Sequence, residues 1–127
     1  MSYTIRNLRE VEDAAQKGGF SDTQEARFAH GELDAESTGL ALIVVKPRQR
    51  QPFAHRHNQA EEIYVVLSGS GRLKLDDDVL EIGPMDAIRM GPSHSRGLEA
   101  GPDGLEVLAL GPRHAGDAQI VEGDFWD

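Results

Sequence analysis

The sequence predicts an all-β single domain, built as an antiparallel sandwich or barrel. Short runs of apolar and β-branched residues recur along the chain, and 14 glycines and 6 prolines separate them. The turn signals return roughly every 8–12 residues, which is typical of such folds. These intervals are too short for the helical crossovers of about a dozen or more residues that a parallel sheet requires.

The N-terminal part of the chain is the least regular. Residues 8–16 fit one or two helical turns, because their apolar residues recur at helical spacing. Residues 24–30 fit a strand that places Ala26, Phe28 and His30 on one side, with a helix as the alternative.

The later strands end at explicit turn signals. Residues 38–45 are apolar and β-branched and end at Lys-Pro, whereas residues 72–75 alternate with period two before three aspartates turn the chain. The strands predicted beyond residue 30 are 38–45, 52–57, 62–67, 72–75, 79–82, 86–90, 94–99 and 105–110. The tail at 119–127 contains Phe125 and Trp126, which we expect to pack on the outside of the barrel or on a partner subunit.

Length and composition bound the organisation of the chain. A chain of 127 residues encloses one core. We expect an N-terminal extension at 1–37, a barrel at 38–111 and a tail at 112–127, all within one domain. The open sheet edges of such a barrel, together with spare apolar residues near both termini, predict a homodimer.

Charge and cysteine content exclude several functions. The formal charge of −9 lacks the basic footprint of a nucleic-acid-binding protein and gives no polybasic membrane anchor. No cysteine is present, so disulfides, thiolate metal sites and a cysteine nucleophile are excluded. No apolar run is long enough for a signal peptide or a membrane helix, which favours a cytoplasmic protein.

The segment most informative about chemistry contains His55, His57 and Glu62. Histidines at i and i+2 on a strand point to one face, and Glu62 begins the next strand. Two imidazoles and a carboxylate are ligands for iron, manganese, nickel or zinc. The same spacing also fits two exposed histidines on an edge strand beside a charged surface.

The spacing resembles the first motif of the cupins. His55-x-His57, four residues, Glu62, six residues and Gly69 match H-x-H-x(4)-E-x(6)-G, although Gln49 stands where the motif has its leading glycine. The resemblance covers about residues 38–111. It implies a double-stranded β-helix, or jelly-roll barrel, with a divalent metal inside.

The second cupin motif is matched in part, and it leaves two registers open. Its glycines fall at Gly83 and Gly91 and its histidine at His94, which would make His94 the fourth ligand. Counted from Asp86 instead, the ligand position falls on Arg96. An arginine stays protonated and cannot ligate a metal, but it could clamp a carboxylate or a phosphate.

Other side chains are expected to face the pocket. Tyr64 follows Glu62 by two residues on the same strand, where it is either an acid catalyst or part of the wall. Gln51, Phe53 and Met90 are candidate substrate contacts, together with Arg96.

These features support two kinds of function. The first is a metal-dependent enzyme of oxygenase, decarboxylase, isomerase or lyase type, acting on a small anionic or oxygen-rich molecule. The second is a non-catalytic protein that binds a small molecule, with or without a metal. The sequence does not decide between an enzyme and a binding protein.

Overall fold

The computed structural model describes residues 2–127 and contains two short helices and eight strands. The helices are a 3-10 helix, Leu8–Glu10, and α1, Ala14–Gly18. The strands are β1 Gln24–Phe28, β2 Thr38–Val45, β3 Ala54–His57, β4 Glu62–Leu75, β5 Asp78–Ile82, β6 Ala87–Met90, β7 Arg96–Pro112 and β8 Ala118–Val121. None of the helices among these residues has the length and apolarity needed to cross a membrane.

All strand pairs are antiparallel, as the sequence predicted, and the sheet curls on itself. One path through the sheet runs β1-β2-β7-β3-β8. Strand β4 pairs with β7 along most of its length and also with β5 and β6. The all-β barrel predicted from the sequence is therefore confirmed.

Strands β4 and β7 are longer than the sequence predicted. Each was expected as two strands separated by a turn, but each is continuous, and the pairing between the two is irregular where the turns were expected. The register of the β4–β7 pair shifts between Val66 and Ser68 and again between Gly69 and Gly71. Gly69 has φ 79°, and a Cβ at this residue would lie 2.0 Å from the carbonyl oxygen of Gly104.

The core is formed by residues of these two long strands together with α1, β1, β2, β5 and β6. Leu73 of β4 and Leu98 of β7 are cross-strand partners, and neither has exposed surface. Val45 of β2 and Val66 of β4 are equally buried. Each such side chain contributes about 1.5–3 kcal/mol relative to an exposed one, so this packing holds the strands that carry the site.

The two terminal segments extend the barrel. Strand β1 pairs with β2, and β8 pairs with β3, so residues 24–28 and 118–121 belong to the sheet. Beyond β8, the ring of Trp126 lies against the guanidinium groups of Arg50 and Arg72. The predicted division into extension, barrel and tail, and the predicted homodimer, stay predictions.

Candidate metal centre

Two histidines of β3 and the first residue of β4 face one another inside the barrel. Nε2 of His55 lies 3.5 Å from Oε1 of Glu62, and Nε2 of His57 lies 3.6 Å from Oε2. The two imidazole rings stand at 84° to each other with centroids 5.2 Å apart. The structure therefore brings together the three residues that the sequence singled out first.

The spacing of these donors fits a divalent transition metal. The three residues offer ligand atoms that all lie within 4.8 Å of one another. Two ligands bound 2.1 Å from an ion at a tetrahedral angle lie about 3.4 Å apart. The two measured imidazole–carboxylate separations of 3.5 and 3.6 Å are close to this value. His55, His57 and Glu62 could therefore hold a metal with little rearrangement.

Asp117 fixes the orientation of His57. Nδ1 of His57 lies 3.2 Å from Oδ2 of Asp117, and the same carboxylate accepts the backbone N–H groups of Gln59 and Ala60 at 2.8 and 3.0 Å. Burial raises the pKa of Asp117, but the hydrogen bonds from these N–H donors and from His57 lower it by more than burial raises it. The pKa of Asp117 is therefore below its usual range. An ionised carboxylate only accepts hydrogen bonds, so the proton of neutral His57 lies on Nδ1.

The consequence for His57 is a free lone pair that points at Glu62. Its Nε2 is buried and has no hydrogen-bond partner among residues 2–127. Buried polar atoms are nearly always hydrogen-bonded, so this exception calls for an explanation. The donor set provides one, because an imidazole nitrogen with its lone pair aimed at a carboxylate and a second imidazole is in the arrangement of a metal ligand.

Arg96 occupies the corner of the site beside Glu62. It is the cross-strand partner of His55, its side chain has no exposed surface, and its Nη1 donates to Oε1 of Glu62 at 3.1 Å. The rest of the guanidinium donates to the carbonyl oxygens of Gly91, Pro92 and His94 at 2.8–3.1 Å. The loop before β7 thus encloses Arg96, whose carboxylate partner is Glu62.

His94 lies away from the other three predicted ligands. Its side chain is about half exposed, and its Nδ1 lies 2.6 Å from Oδ2 of Asp76. The shared strand parity of positions 94 and 96, on which the inward prediction rested, does not apply because β7 begins at Arg96. Among residues 2–127, the group able to hold a metal consists of His55, His57 and Glu62.

The electrostatics of the site favour an ionised Glu62. Burial raises the pKa of Glu62, but the neighbouring imidazoles of His55 and His57 outweigh this effect and hold the pKa well below its usual range. In turn, the carboxylate of Glu62 raises the pKa of His57 above 6.5, while desolvation acts in the opposite direction. The site therefore offers a charged carboxylate ligand at neutral pH.

The predicted pocket residues divide into two groups. Tyr64 and Phe53 line a cavity beside the histidines, and so does Gln51. However, Gln51 accepts the N–H of Leu98 at 3.0 Å and donates to Gln24 at 3.3 Å. Met90 and Arg96 have no exposed surface and are absent from the cavity wall.

Burial, followed by the charge of Glu62, raises the pKa of Tyr64 well above 10, so its phenol stays protonated.

The cavity itself measures about 660 Å³, within the usual range for small-molecule sites. The histidine pair and Glu62 lie on its wall, which comes from several strands and from the segment after α1. Its apolar lining includes Phe20, Phe28, Ile43, Phe53, Tyr64 and Ile120. The cavity therefore joins a metal-ligand cluster to a mainly apolar binding space.

Solved structures with the same architecture identify the fold. A cupin protein from Bacteroides fragilis is 22% identical with a TM-score of 0.72, over 98% of this chain and 92% of that chain. The chain has the cupin fold. The polyketide cyclase RemF from Streptomyces resistomycificus is 21% identical with a TM-score of 0.75, over 95% of this chain and 87% of the cyclase.

A further cupin-fold neighbour, Streptomyces PAC13 with uridine, is 18% identical with a TM-score of 0.73, over 96% of this chain and 93% of that chain. No protein-family model matches the chain, and neither does any curated protein sequence. The jelly-roll barrel expected from the cupin motif is thus confirmed at the level of the fold.

Sequence reasoning missed three contributors to the site. Asp117 lies 60 residues beyond His57, where no motif indicates it, and the short alternating run that follows it was not recognised as a strand. Phe20 and Phe28 line the cavity from the N-terminal region, where spacing alone gave no function. The signal available for Phe28 was its position in a predicted strand.

Proposed function

We propose that this cupin barrel is a metal-dependent enzyme acting on a small oxygen-bearing molecule bound in the cavity. His55, His57 and Glu62 would hold a divalent transition metal such as Mn, Fe, Ni or Zn. When bound, the metal would polarise and orient an oxygen atom of the substrate. The observation that carries the proposal is the buried, unpartnered Nε2 of His57, aimed at Glu62 while Asp117 takes Nδ1.

The remaining residues of the site bind, orient and donate protons. Arg96 holds the carboxylate of Glu62 in place through its Nη1 hydrogen bond. Tyr64 lines the cavity with a phenol that stays protonated, so it can donate a hydrogen bond or a proton to an oxygen of the bound molecule. The apolar walls exclude water from the rest of that molecule.

The fold neighbours support a small molecule as the ligand. RemF is a polyketide cyclase, and PAC13 is described with uridine, so comparable barrels act on or bind small organic molecules. The shared fold supports a small molecule as the kind of ligand, and at identities of 18–21% the structure of that ligand stays open.

A metal-free binding protein is the second candidate. The observation that favours it is the Arg96–Glu62 ion pair, which already neutralises the carboxylate without a metal. Such a protein would be stabilised by its ligand without converting it. Metal binding and turnover separate the two candidates.

The test compares two adjacent glutamates. Protein without an affinity tag, stripped with a chelator, is titrated calorimetrically with Zn²⁺ and with Mn²⁺. We expect one ion per chain, loss of binding by at least 100-fold in Glu62→Gln, and no change in Glu61→Gln, whose side chain is half exposed and pairs with Arg89. Equal binding by both variants would overturn the metal assignment.

The metal-loaded protein is then screened for turnover of oxygenated small molecules by mass spectrometry. An enzyme gives a product whose rate falls in Tyr64→Phe while metal affinity stays the same. Ligand-induced thermal stabilisation without product would favour the binding protein.

A further inference from the structure

Three of the four phenylalanines of the chain line the cavity. Phe20 follows α1, Phe28 ends β1 and Phe53 precedes β3. The rings of Phe20 and Phe53 meet edge to face, with centroids 5.6 Å apart at 75°. Both side chains remain more than a third exposed, and Phe28 is half exposed. Apolar rings that stay partly exposed on one cavity wall mark a binding surface.

This aromatic wall and the metal-ligand cluster line the same cavity. Phe53 immediately precedes β3, the strand that carries His55 and His57. A planar group lying against Phe53 is therefore bound in the same space that the two histidines face.

Two polar side chains that the sequence predicted to bind substrate are already used within the protein. The amide of Gln51 is bonded to Leu98 and Gln24, and the guanidinium of Arg96 is bonded to Glu62 and three carbonyl oxygens. Arg96 is therefore not available as the clamp predicted for a substrate carboxylate. The cavity offers a ligand a mainly apolar surface together with the histidine pair and Glu62, and its wall also includes His30, Arg113 and His114.

We infer that the molecule bound here is an aromatic compound of about two fused rings that carries an oxygen donor. Its ring lies against Phe20 and Phe53, and its oxygen faces His55, His57 and Glu62. The orientation rests on the metal site proposed above, whereas the ring contact does not. The cavity volume of about 660 Å³ accommodates such a ring system.

The test uses two probes that each carry a hydroxyl and a carboxylate in the same β-hydroxy acid spacing, and the leucine variants below separate the ring contact from the stronger metal ligation of a phenol. 1-Hydroxy-2-naphthoate carries a hydroxyl and a carboxylate on a bicyclic ring, and 3-hydroxybutyrate carries the same groups on an aliphatic chain. Calorimetry with metal-loaded protein should show at least tenfold tighter binding of the naphthoate. On its addition, the histidine ring NMR signals of His55 and His57 should shift, while those of His94 should not.

Leucine variants isolate the contribution of the rings, because leucine keeps the apolar bulk. Phe20→Leu and Phe53→Leu should each weaken naphthoate binding about threefold to tenfold and leave 3-hydroxybutyrate and metal binding unchanged. Tyr3→Leu is the control, since Tyr3 is exposed and lies outside the cavity wall. An equal loss in Tyr3→Leu would overturn the inference.

The outcomes distinguish this inference from the proposed function. If metal binds but the naphthoate binds no better than 3-hydroxybutyrate, the aromatic inference is wrong and the metal site stands. If no metal binds, yet the naphthoate binds in a manner that depends on Phe53, the aromatic site stands and the metal-dependent function is wrong.

Discussion

Arg96 donates a hydrogen bond from Nη1 to Oε1 of Glu62 over 3.1 Å, in a part of the barrel where the arginine has no exposed surface. A buried cation of this kind is tolerated because every part of the guanidinium finds an acceptor. The pair links the start of β4 to the start of β7, and the neighbouring loop closes over it. Glu62 therefore has a defined position before any ligand enters.

Removing the guanidinium should destabilise the fold. We expect Arg96→Met to lower the free energy of unfolding by about 3–5 kcal/mol, because a buried carboxylate and three carbonyl groups lose their partner. Urea denaturation measures this change. Arg56→Met is the matched control, since Arg56 is exposed on β3, and it should change stability by no more than about 0.5 kcal/mol. Similar losses in both variants would contradict the role assigned to Arg96.

Asp117 should control metal affinity without ligating the metal. Asp117→Asn keeps one side-chain oxygen, so it can accept from only one of Gln59 and Ala60, whose N–H groups bond different carboxylate oxygens, and it no longer presents an ionised acceptor to His57. We expect a loss of metal affinity of about 10–100-fold, with Asp103→Asn, an exposed substitution, unchanged. Nitrogen NMR of His57 supplies a second readout, because the wild-type neutral ring should carry its proton on Nδ1. A wild-type proton on Nε2 would contradict the assignment.

His94 should be dispensable for metal binding. Its half-exposed ring pairs with Asp76 outside the cluster, so His94→Ala should change Zn²⁺ affinity by less than about twofold. His55→Ala should reduce the same affinity by at least 100-fold. Calorimetric titration of both variants measures the contrast, and a comparable loss in His94→Ala would restore the four-ligand site as the better description.

Metal affinity should fall as the pH is lowered, and the fall should begin above pH 6.5. Metal binding requires neutral imidazoles, and the carboxylate of Glu62 raises the pKa of His57 in the metal-free protein. Protons therefore compete for His57 at a higher pH than for an ordinary histidine. Titrations at pH 8, 7 and 6 should show progressively weaker Zn²⁺ binding. Constant affinity over this range would exclude His57 as a ligand.

Local sequence patterns predicted most of the strands. Residues 38–45 are apolar and β-branched and are followed by Lys-Pro, and β2 has these bounds in the structure. The two long strands were not predicted, because glycines inside them look like turn residues. At Gly69 and Gly71 the lack of a Cβ instead permits the close approach of β7. Close backbone approach depends on the partner strand, which local sequence does not specify.

The site was predictable as far as its motif extends. His55, His57 and Glu62 lie within eight residues. Strand parity predicted that the two histidines share a face, and the short turn after them predicted that Glu62 lies close by. Placing Arg96 and His94 required the register of a distant loop, and the sequence left open which of the two occupies the corner beside the other ligands. Asp117 depends on β8 pairing with β3 across 60 residues, a contact with no local signal.

The most direct test of the account is the position of the metal. Crystals of the protein soaked in Mn²⁺ should give one strong anomalous-scattering peak per chain, about 2.0–2.2 Å from Nε2 of His55, Nε2 of His57 and a carboxylate oxygen of Glu62. A peak at His94 and Asp76, or no peak at the histidine pair in a crystal whose soak was verified by fluorescence, would contradict the central claim.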